Sequence, residues 1–181
     1  MLDLWMPDPI TLFAETLSEF NDDSKWDGAV LGKIKTISNT KVGSVGQRFI
    51  EKLCSQLSIP YSFPINPTTG EPLTQSPWDI EILDIKFELK TATEDINGKY
   101  QFNHIRYHRT YEGLLCLGVS PANLHFGVWS KADVTTNKAG KLVSMEKSAN
   151  ASYKLTKDPR HLHEISEFQT IITQFAHDFI K

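Results

Sequence analysis

Two short runs of alternating apolar and polar residues, separated by two residues, constrain the fold of this chain more than any other feature. The first run covers residues 78–82 and the second covers residues 85–90. Apolar side chains occupy every second position in both runs, as in strands with one buried face. Leu83 and Asp84 separate the runs, and so short a connection favours an antiparallel hairpin. We therefore expect a half-buried β-hairpin with one polar face.

The polar face of this hairpin carries two acids and a lysine. Residues i and i+2 of a strand share a face, so Glu88 and Lys90 project together, while Asp79 lies on the polar side of the first strand. Antiparallel pairing would place Asp79 near Glu88 across the ladder. Neighbouring carboxylates repel each other and need a cation, a proton or solvent between them. A strand face that is simply solvated is the other interpretation of these residues.

A hard divalent cation suits such a face. Oxygen-only ligands favour Mg²⁺, and a bound Mg²⁺ polarises a phosphoryl oxygen and activates a water. Lys90 would position or deprotonate that water, or stabilise the charge that develops on phosphorus. The pattern therefore predicts chemistry on a phosphate ester.

Other segments of the chain predict helices and buried strands around the hairpin. Apolar residues at helical spacing predict helices over residues 9–20, 42–57 and 162–180. Two glycines near the start of the second helix, Gly43 and Gly46, lower helix propensity, so close packing or a ligand would explain them. Apolar runs predict buried strands over residues 114–120 and 124–129. We expect residues 29–41 to be irregular or weakly extended, and residues 59–77 and 135–157 to form loops.

Composition fits one ordinary globular domain. The chain has 181 residues, of which 40% are hydrophobic and 23% charged, which argues against intrinsic disorder. We expect a single domain over residues 1–181, with an N-terminal helical segment (1–28), a catalytic core (about 42–130) and a C-terminal helix (162–180). The sequence shows no signal peptide, no apolar run long enough to cross a membrane and no metal-type cysteine spacing. A cytoplasmic protein without a membrane partner is the expectation.

The net charge of −3 excludes a protein coated in positive charge, but the charge is unevenly distributed. Residues 1–30 carry seven acids and one base. The remaining residues therefore carry 18 bases and 15 acids, so a basic face for nucleic acid is compatible with the composition.

The order of the polar residues resembles the PD-(D/E)XK nuclease superfamily, which includes many type II restriction endonucleases. The residues that carry the resemblance are Glu51 on the preceding helix, Pro77-Trp78-Asp79, Glu88-Leu89-Lys90 and Gln101. The resemblance covers roughly residues 42–130 and implies an α/β (α+β) fold, with a mixed central sheet flanked by helices. The chain departs from the family pattern at Trp78, which separates the proline from the acid.

The resemblance implies a role for each matched residue. Asp79 and Glu88 would be the metal ligands, together with the main-chain carbonyl of Leu89, and Lys90 would be the catalytic lysine. Glu51 would assist from the first core helix. The neighbouring acids are Glu81 and Asp84, and Asp79 ranks ahead of both as the first metal ligand. The implied cofactor is Mg²⁺, with Mn²⁺ as a substitute.

Two segments are candidates for contact with double-stranded DNA. The first, residues 100–111, offers donors and acceptors for phosphates and base edges: Gln101, Asn103, His104, Arg106, His108 and Arg109. If this segment is a helix, Gln101, His104 and His108 share a face; a half-buried helix that packs through its aromatic residues is the equal alternative. The second is a basic run of Lys33, Lys35 and Lys41, which is either a solvated surface or a grip on the DNA backbone.

The sequence therefore predicts a Mg²⁺-dependent DNA endonuclease. A type II restriction endonuclease that acts as a homodimer is the favoured subclass, because a chain with one site needs two copies to cut both strands of a palindrome. A repair or structure-specific nuclease is the alternative within the same fold. The rival from another class is a non-catalytic module that binds DNA or protein, with carboxylates that are only solvated.

Overall fold

A computed structural model of the protein describes residues 24–73, 76–148 and 151–180, so the expected helix over residues 9–20 lies outside the described residues. The strands of the central sheet are β1 (Tyr61–Ser62), β2 (Ile80–Ile82), β3 (Ile85–Thr93), β5 (Gly113–Val119), β6 (Leu124–Ser130) and β9 (His163–Glu164). Their order across the sheet is β1-β2-β3-β5-β6-β9. The pair β3–β5 is parallel and the other pairs are antiparallel, so the sheet is mixed.

A second, smaller sheet and three helices complete the described fold. The second sheet has the order β4-β8-β7 and consists of β4 (Tyr100–Arg106), β7 (Leu142–Ser144) and β8 (Ser152–Lys157). The helices are α1 (Asn39–Gln56), α2 (Lys131–Thr135) and α3 (Phe168–Phe179). Single 3₁₀ turns form at Ser24–Trp26, Gly32–Thr36, Pro159–His161 and Ile165–Glu167.

Helices α1 and α3 cover one face of the central sheet. Every fourth residue of α1 is buried from Val42 to Cys54, and α3 buries Phe168, Ile172 and Ala176 at the same spacing. Ile50 and Cys54 of α1 and the three buried residues of α3 share one core with the apolar residues of β2 and β3, because helical and strand periodicities each send one stripe inward. The expected fold class, a mixed central sheet flanked by helices, is confirmed.

The second sheet packs on the opposite face of the central sheet. Its core includes Tyr100 and Phe102 of β4 together with Leu114 and Cys116 of β5. In the parallel register Leu114 lies beside Glu88 and Cys116 beside Lys90. The charged residues of β3 therefore point toward the layer between the two sheets, away from the helices.

The predicted hairpin is confirmed. Strands β2 and β3 pair antiparallel through three residue pairs, which begin with Ile80 opposite Phe87. The connecting residues Leu83 and Asp84 both have positive φ, at 52° and 63°. Two consecutive left-handed residues match the type I′ turn that a two-residue hairpin favours, because its twist fits the twist of the strands.

The helical interpretation of residues 100–112 was wrong. Residues 100–106 form strand β4, in which Tyr100, Phe102 and Ile105 are buried and Gln101 and Asn103 are exposed. The register with β8 shifts between Phe102 and Ile105, a β-bulge. The extra residue interrupts the two-residue period, so the sequence gives apolar spacings of two and three that resemble a helical pattern.

Four segments also differ from the expectations. Residues 59–77 contain the two-residue strand β1 rather than loop alone. Residues 135–157 contain β7 and β8 rather than loop alone. Leu155 is the apolar residue of these two strands that is fully buried, so the apolar alternation that predicts a strand is weak here. The C-terminal helix begins at Phe168, because His163–Glu164 pairs with β6. Residues 29–41 form a 3₁₀ turn and the start of α1. Among the described residues, no helix has the length and apolar character of a membrane span.

Candidate active site

The short pairing of β2 with β3 places Asp79 at an open edge of β3. Asp79 immediately precedes β2, and its N–H donates to the carbonyl of Phe87 at 2.8 Å. Its side chain then takes the place of the missing strand partner, since Oδ2 accepts a hydrogen bond from the N–H of Leu89 at 2.8 Å. The backbone of β3 thus fixes the Asp79 carboxylate beside the residues that follow Phe87.

Glu88 is the most deeply buried acid of the site and lies between two cations. Its side chain is 0% exposed. Its Oε1 lies 2.6 Å from Nζ of Lys90, and its Oε2 accepts a hydrogen bond from Nη1 of Arg109 at 3.3 Å. The same Nη1 lies 3.9 Å from Oδ1 of Asp79. A buried carboxylate persists only when charges compensate it, and Lys90 and Arg109 supply them.

The pKa of Asp79 is raised above its ordinary value. Burial is the largest cause, because it disfavours the charged form, and the nearby charge of Glu88 acts in the same direction. The hydrogen bond from Leu89 and the charges of Lys90 and Arg109 oppose this rise without cancelling it. Two carboxylates therefore remain in electrostatic conflict in the folded protein.

Buried polar atoms without a protein hydrogen-bond partner concentrate around this cluster. Among the described residues five such side-chain atoms occur, and Glu88 Oε1, Trp78 Nε1, Thr91 Oγ1 and the Tyr111 hydroxyl belong to the site or to residues next to it. Glu88 Oε1 has its ion pair with Lys90 but no hydrogen bond of good geometry. Burial, and after it the nearby charge of Glu88, raise the pKa of Tyr111. Native proteins leave few such atoms unsatisfied, so their concentration here makes this region the candidate site.

A cleft of about 570 Å³ opens onto the cluster between α1 and the loop that precedes β2. Its lining includes Gln47, Arg48 and Glu51 of α1 together with Asp79 and Arg109. Gln47 donates from Nε2 to the carbonyl of Asp79 at 3.3 Å, which ties the helix to the site. Glu51 forms an ion pair with Arg48. It therefore borders the cleft without joining the pair of Asp79 and Glu88.

The donor set at the cluster consists of two carboxylates and the adjacent main chain. Within the described ranges no three His, Cys, Asp or Glu residues are grouped closely enough to hold one metal ion. Oxygen donors suit a hard cation, and a cation bound between Asp79 and Glu88 would relieve the electrostatic repulsion between their carboxylates. The two side chains, with the carbonyl of Leu89, are thus compatible with Mg²⁺ on chemical grounds.

The residues predicted to contact DNA fall into separate groups. Arg109 joins the carboxylate cluster, while Gln101, Asn103 and His104 line a second recess of about 480 Å³ that also includes Lys90. Arg106 ends β4 half-buried, and His108 is exposed in the following turn. The basic run lies elsewhere: Lys33 borders an apolar cavity of about 390 Å³, Lys35 lies over the ring of Trp26, and Lys41 is exposed in the first turn of α1.

Sequence reasoning missed three contacts of the site. Arg109 was expected to contact DNA, but its contact with both carboxylates was not expected, because 21 residues separate it from Glu88. Gln47 gave no signal, since an amide on a helix has no characteristic spacing to a strand. Lys131 was also unforeseen; its ammonium group donates to the carbonyl of Arg109 and holds that loop in place.

Comparisons with known proteins leave the function to be argued from the site. No protein-family model matches the chain, and no curated protein matches it. Its fold is similar to the solved structure of a bacterial homing endonuclease, with a TM-score of 0.43 and 14% sequence identity over 78% of this chain and 95% of the other. That similarity is too weak to carry a conclusion about activity.

Proposed function

We propose that this protein is a metal-dependent DNA endonuclease. The observation that carries the proposal is the convergence of Asp79, Glu88 and Lys90: Glu88 is fully buried in an ion pair of 2.6 Å with Lys90, and Asp79 lines an open cleft. A protein that needed only a solvated strand face would gain nothing from burying this charge, because burial of an ion costs free energy. Such a cost is typical of active sites.

The side chains have separate roles in this proposal. Asp79 and Glu88, with the carbonyl of Leu89, hold Mg²⁺, for which Mn²⁺ can substitute. Bound there, the metal supplies Lewis-acid chemistry at a phosphoryl oxygen. Lys90 is held beside Glu88 and is 18% exposed, so its ammonium group can orient a water and stabilise negative charge on the phosphate. Glu51 assists from α1.

The second sheet supplies a surface for double-stranded DNA. On its outer face Gln101 lies opposite Thr156, and Lys154 lies opposite Val143. Asn103 is exposed and makes no side-chain hydrogen bond to any described residue. A β-ribbon fits the major groove, where amides match adenine and cations match guanine or phosphate. The recess that joins this face to Lys90 supports a continuous path for one strand.

The decisive experiment compares the native chain with the variant Lys90→Ala. Native protein, incubated with mixed plasmid DNA and Mg²⁺, should cut it, and sequencing of the ends should reveal the site. Lys90→Ala should lower the rate by about 10²- to 10³-fold, the usual cost of removing one group that stabilises charge in the transition state. Binding of the DNA and the circular dichroism spectrum should change little.

Lys138→Ala is the matched control. Lys138 is exposed and pairs with Asp133 at 3.6 Å, away from the cluster, so its removal should leave cleavage intact. Unchanged cleavage by Lys90→Ala would reject the assignment. A chain that binds DNA, shows no Mg²⁺ binding and cuts nothing would instead be the non-catalytic module.

Within this class we favour a type II restriction endonuclease that acts as a homodimer. We find one such carboxylate cluster among the described residues, and a chain with one site requires two copies for two cuts. Sedimentation of the protein on a short duplex should therefore give two chains per DNA, with both strands cut at one sequence. Cutting at branched or damaged DNA without sequence preference would favour the repair or structure-specific alternative.

A further inference from the structure

The carboxylate oxygens at the cluster are not equivalent. Oδ2 of Asp79 accepts from the N–H of Leu89, and Oε1 of Glu88 pairs with Lys90. The two remaining oxygens, Oδ1 of Asp79 and Oε2 of Glu88, both face Nη1 of Arg109, at 3.9 and 3.3 Å. Arg109 therefore occupies the oxygens that are left for a divalent cation.

The guanidinium of Arg109 is held loosely enough to leave this position. Both of its contacts to described residues pass through Nη1, so most of its five N–H donors have no partner among the residues that the structure describes. The side chain is 26% exposed and borders the open cleft. The main chain of Arg109, by contrast, is tied to Lys131. A long side chain on an anchored loop can reorient while its Cα stays in place.

We propose that Arg109 is a displaceable counter-ion: it neutralises Asp79 and Glu88 before a metal binds, and it transfers to a DNA phosphate when the metal takes those oxygens. The inference rests on the proposed function. A guanidinium binds phosphate through paired N–H groups, and its unused donors are available for that contact. The vacated carboxylates are then compensated by the metal.

This exchange couples metal binding to DNA binding. Arg109 competes with the metal for the same oxygens, and DNA removes the competitor. Each ligand should therefore strengthen the binding of the other, and thermodynamic reciprocity requires the two effects to be equal. A fixed arginine that only stabilised the fold would produce no such coupling.

The test measures Mn²⁺ affinity without DNA, by isothermal titration calorimetry of the full chain. Arg109→Gln removes the cation that competes with the metal for these oxygens. A contact between unit charges near 4 Å is worth about five-fold even in the dielectric of water, and Arg109 makes two such contacts, at 3.3 and 3.9 Å, so Mn²⁺ should bind at least about ten-fold tighter. Arg109→Lys keeps the charge and should stay within about two-fold of the native affinity. Arg106→Gln is the matched control, because it removes the same charge three residues away. The guanidinium of Arg106 contacts neither carboxylate, so the metal affinity should not change.

A second measurement tests the coupling. In the Lys90→Ala background, which slows cutting enough for a binding measurement, the anisotropy of a fluorescent duplex of mixed sequence reports DNA affinity with and without Mn²⁺. The factor by which Mn²⁺ strengthens DNA binding should be larger with Arg109 than with Gln at that position. Equal enhancement, or an Arg109→Gln chain that binds Mn²⁺ no more tightly than the native one, would overturn the inference. Equal gains in Arg109→Lys and Arg109→Gln would overturn it as well.

These outcomes separate the inference from the proposed function. A native chain that binds no Mn²⁺ and cuts no DNA overturns both. A native chain that binds Mn²⁺ and cuts DNA, with the same metal affinity in Arg109→Gln, overturns the role of Arg109 alone. Circular dichroism of each variant confirms that a folded protein is compared in every case.

Discussion

The two glycines of α1 should respond in opposite ways to the same substitution. A Cβ at Gly46 would lie 1.8 Å from Oγ1 of Thr91 and 2.9 Å from its Cβ, whereas a Cβ at Gly43 would meet nothing within 4 Å. Both residues lie inside the helix, so alanine removes the same conformational cost at each. Only Gly46 lets α1 approach β3 closely.

The magnitudes follow from these distances. Gly43→Ala should raise the free energy of unfolding by about 0.4–1 kcal/mol, since alanine loses less conformational entropy than glycine on folding. Gly46→Ala brings the same entropic gain in the free energy of unfolding, but its methyl group overpacks the contact between α1 and β3 at a cost of about 1–3 kcal/mol. An overlap with Cβ cannot be relieved by rotating Thr91, so we expect the upper end and a net loss of about 2 kcal/mol.

Urea unfolding followed by circular dichroism measures both changes, and thermal melts should separate the variants by about 6–12 °C, given about 2–4 °C per kcal/mol for a chain of this size. Gly46→Ala should also slow DNA cleavage, because Gln47 and its bond to Asp79 move with the helix. Shifts of the same sign at the two positions would refute the argument that close packing explains Gly46.

Two further predictions concern the charge of the site and the DNA surface. Asp79→Asn should raise the free energy of unfolding at pH 7 while abolishing Mn²⁺ binding. The raised pKa of Asp79 means that the folded chain holds this proton more tightly than the unfolded chain. The native protein therefore loses stability as pH rises from the ordinary value of 3.8 through the raised pKa. Urea unfolding across pH should show this decline in the native protein but not in the variant, and parallel profiles would contradict it. Lys154→Ala should weaken duplex binding evenly across sequences and reduce the magnitude of the slope of log affinity against log salt by about one. Asn103→Ala should instead change which sequences are cut. A salt series of anisotropy measurements that left the slope unchanged would remove this face from the interface.

Local patterns explain what could be predicted about the fold. The hairpin was predictable because strand alternation and a two-residue turn are properties of neighbouring residues. Helix α1 was predictable for the same reason, and the close packing expected of its glycines is confirmed at Gly46 but not at Gly43. Strand β4 was not predictable, because its bulge breaks the alternation on which the prediction depends.

The sequence by itself determined that Glu88 and Lys90 share a face and that Asp79 lies across a turn from them, since strand geometry fixes positions two residues apart. Only the tertiary structure decided that Glu88 is fully buried and that Arg109 reaches both carboxylates. Burial depends on the second sheet that covers this face, and the position of Arg109 depends on where the chain returns from β4 to β5. Neither is encoded within a few residues, because each is set by the packing of segments that are distant in the sequence.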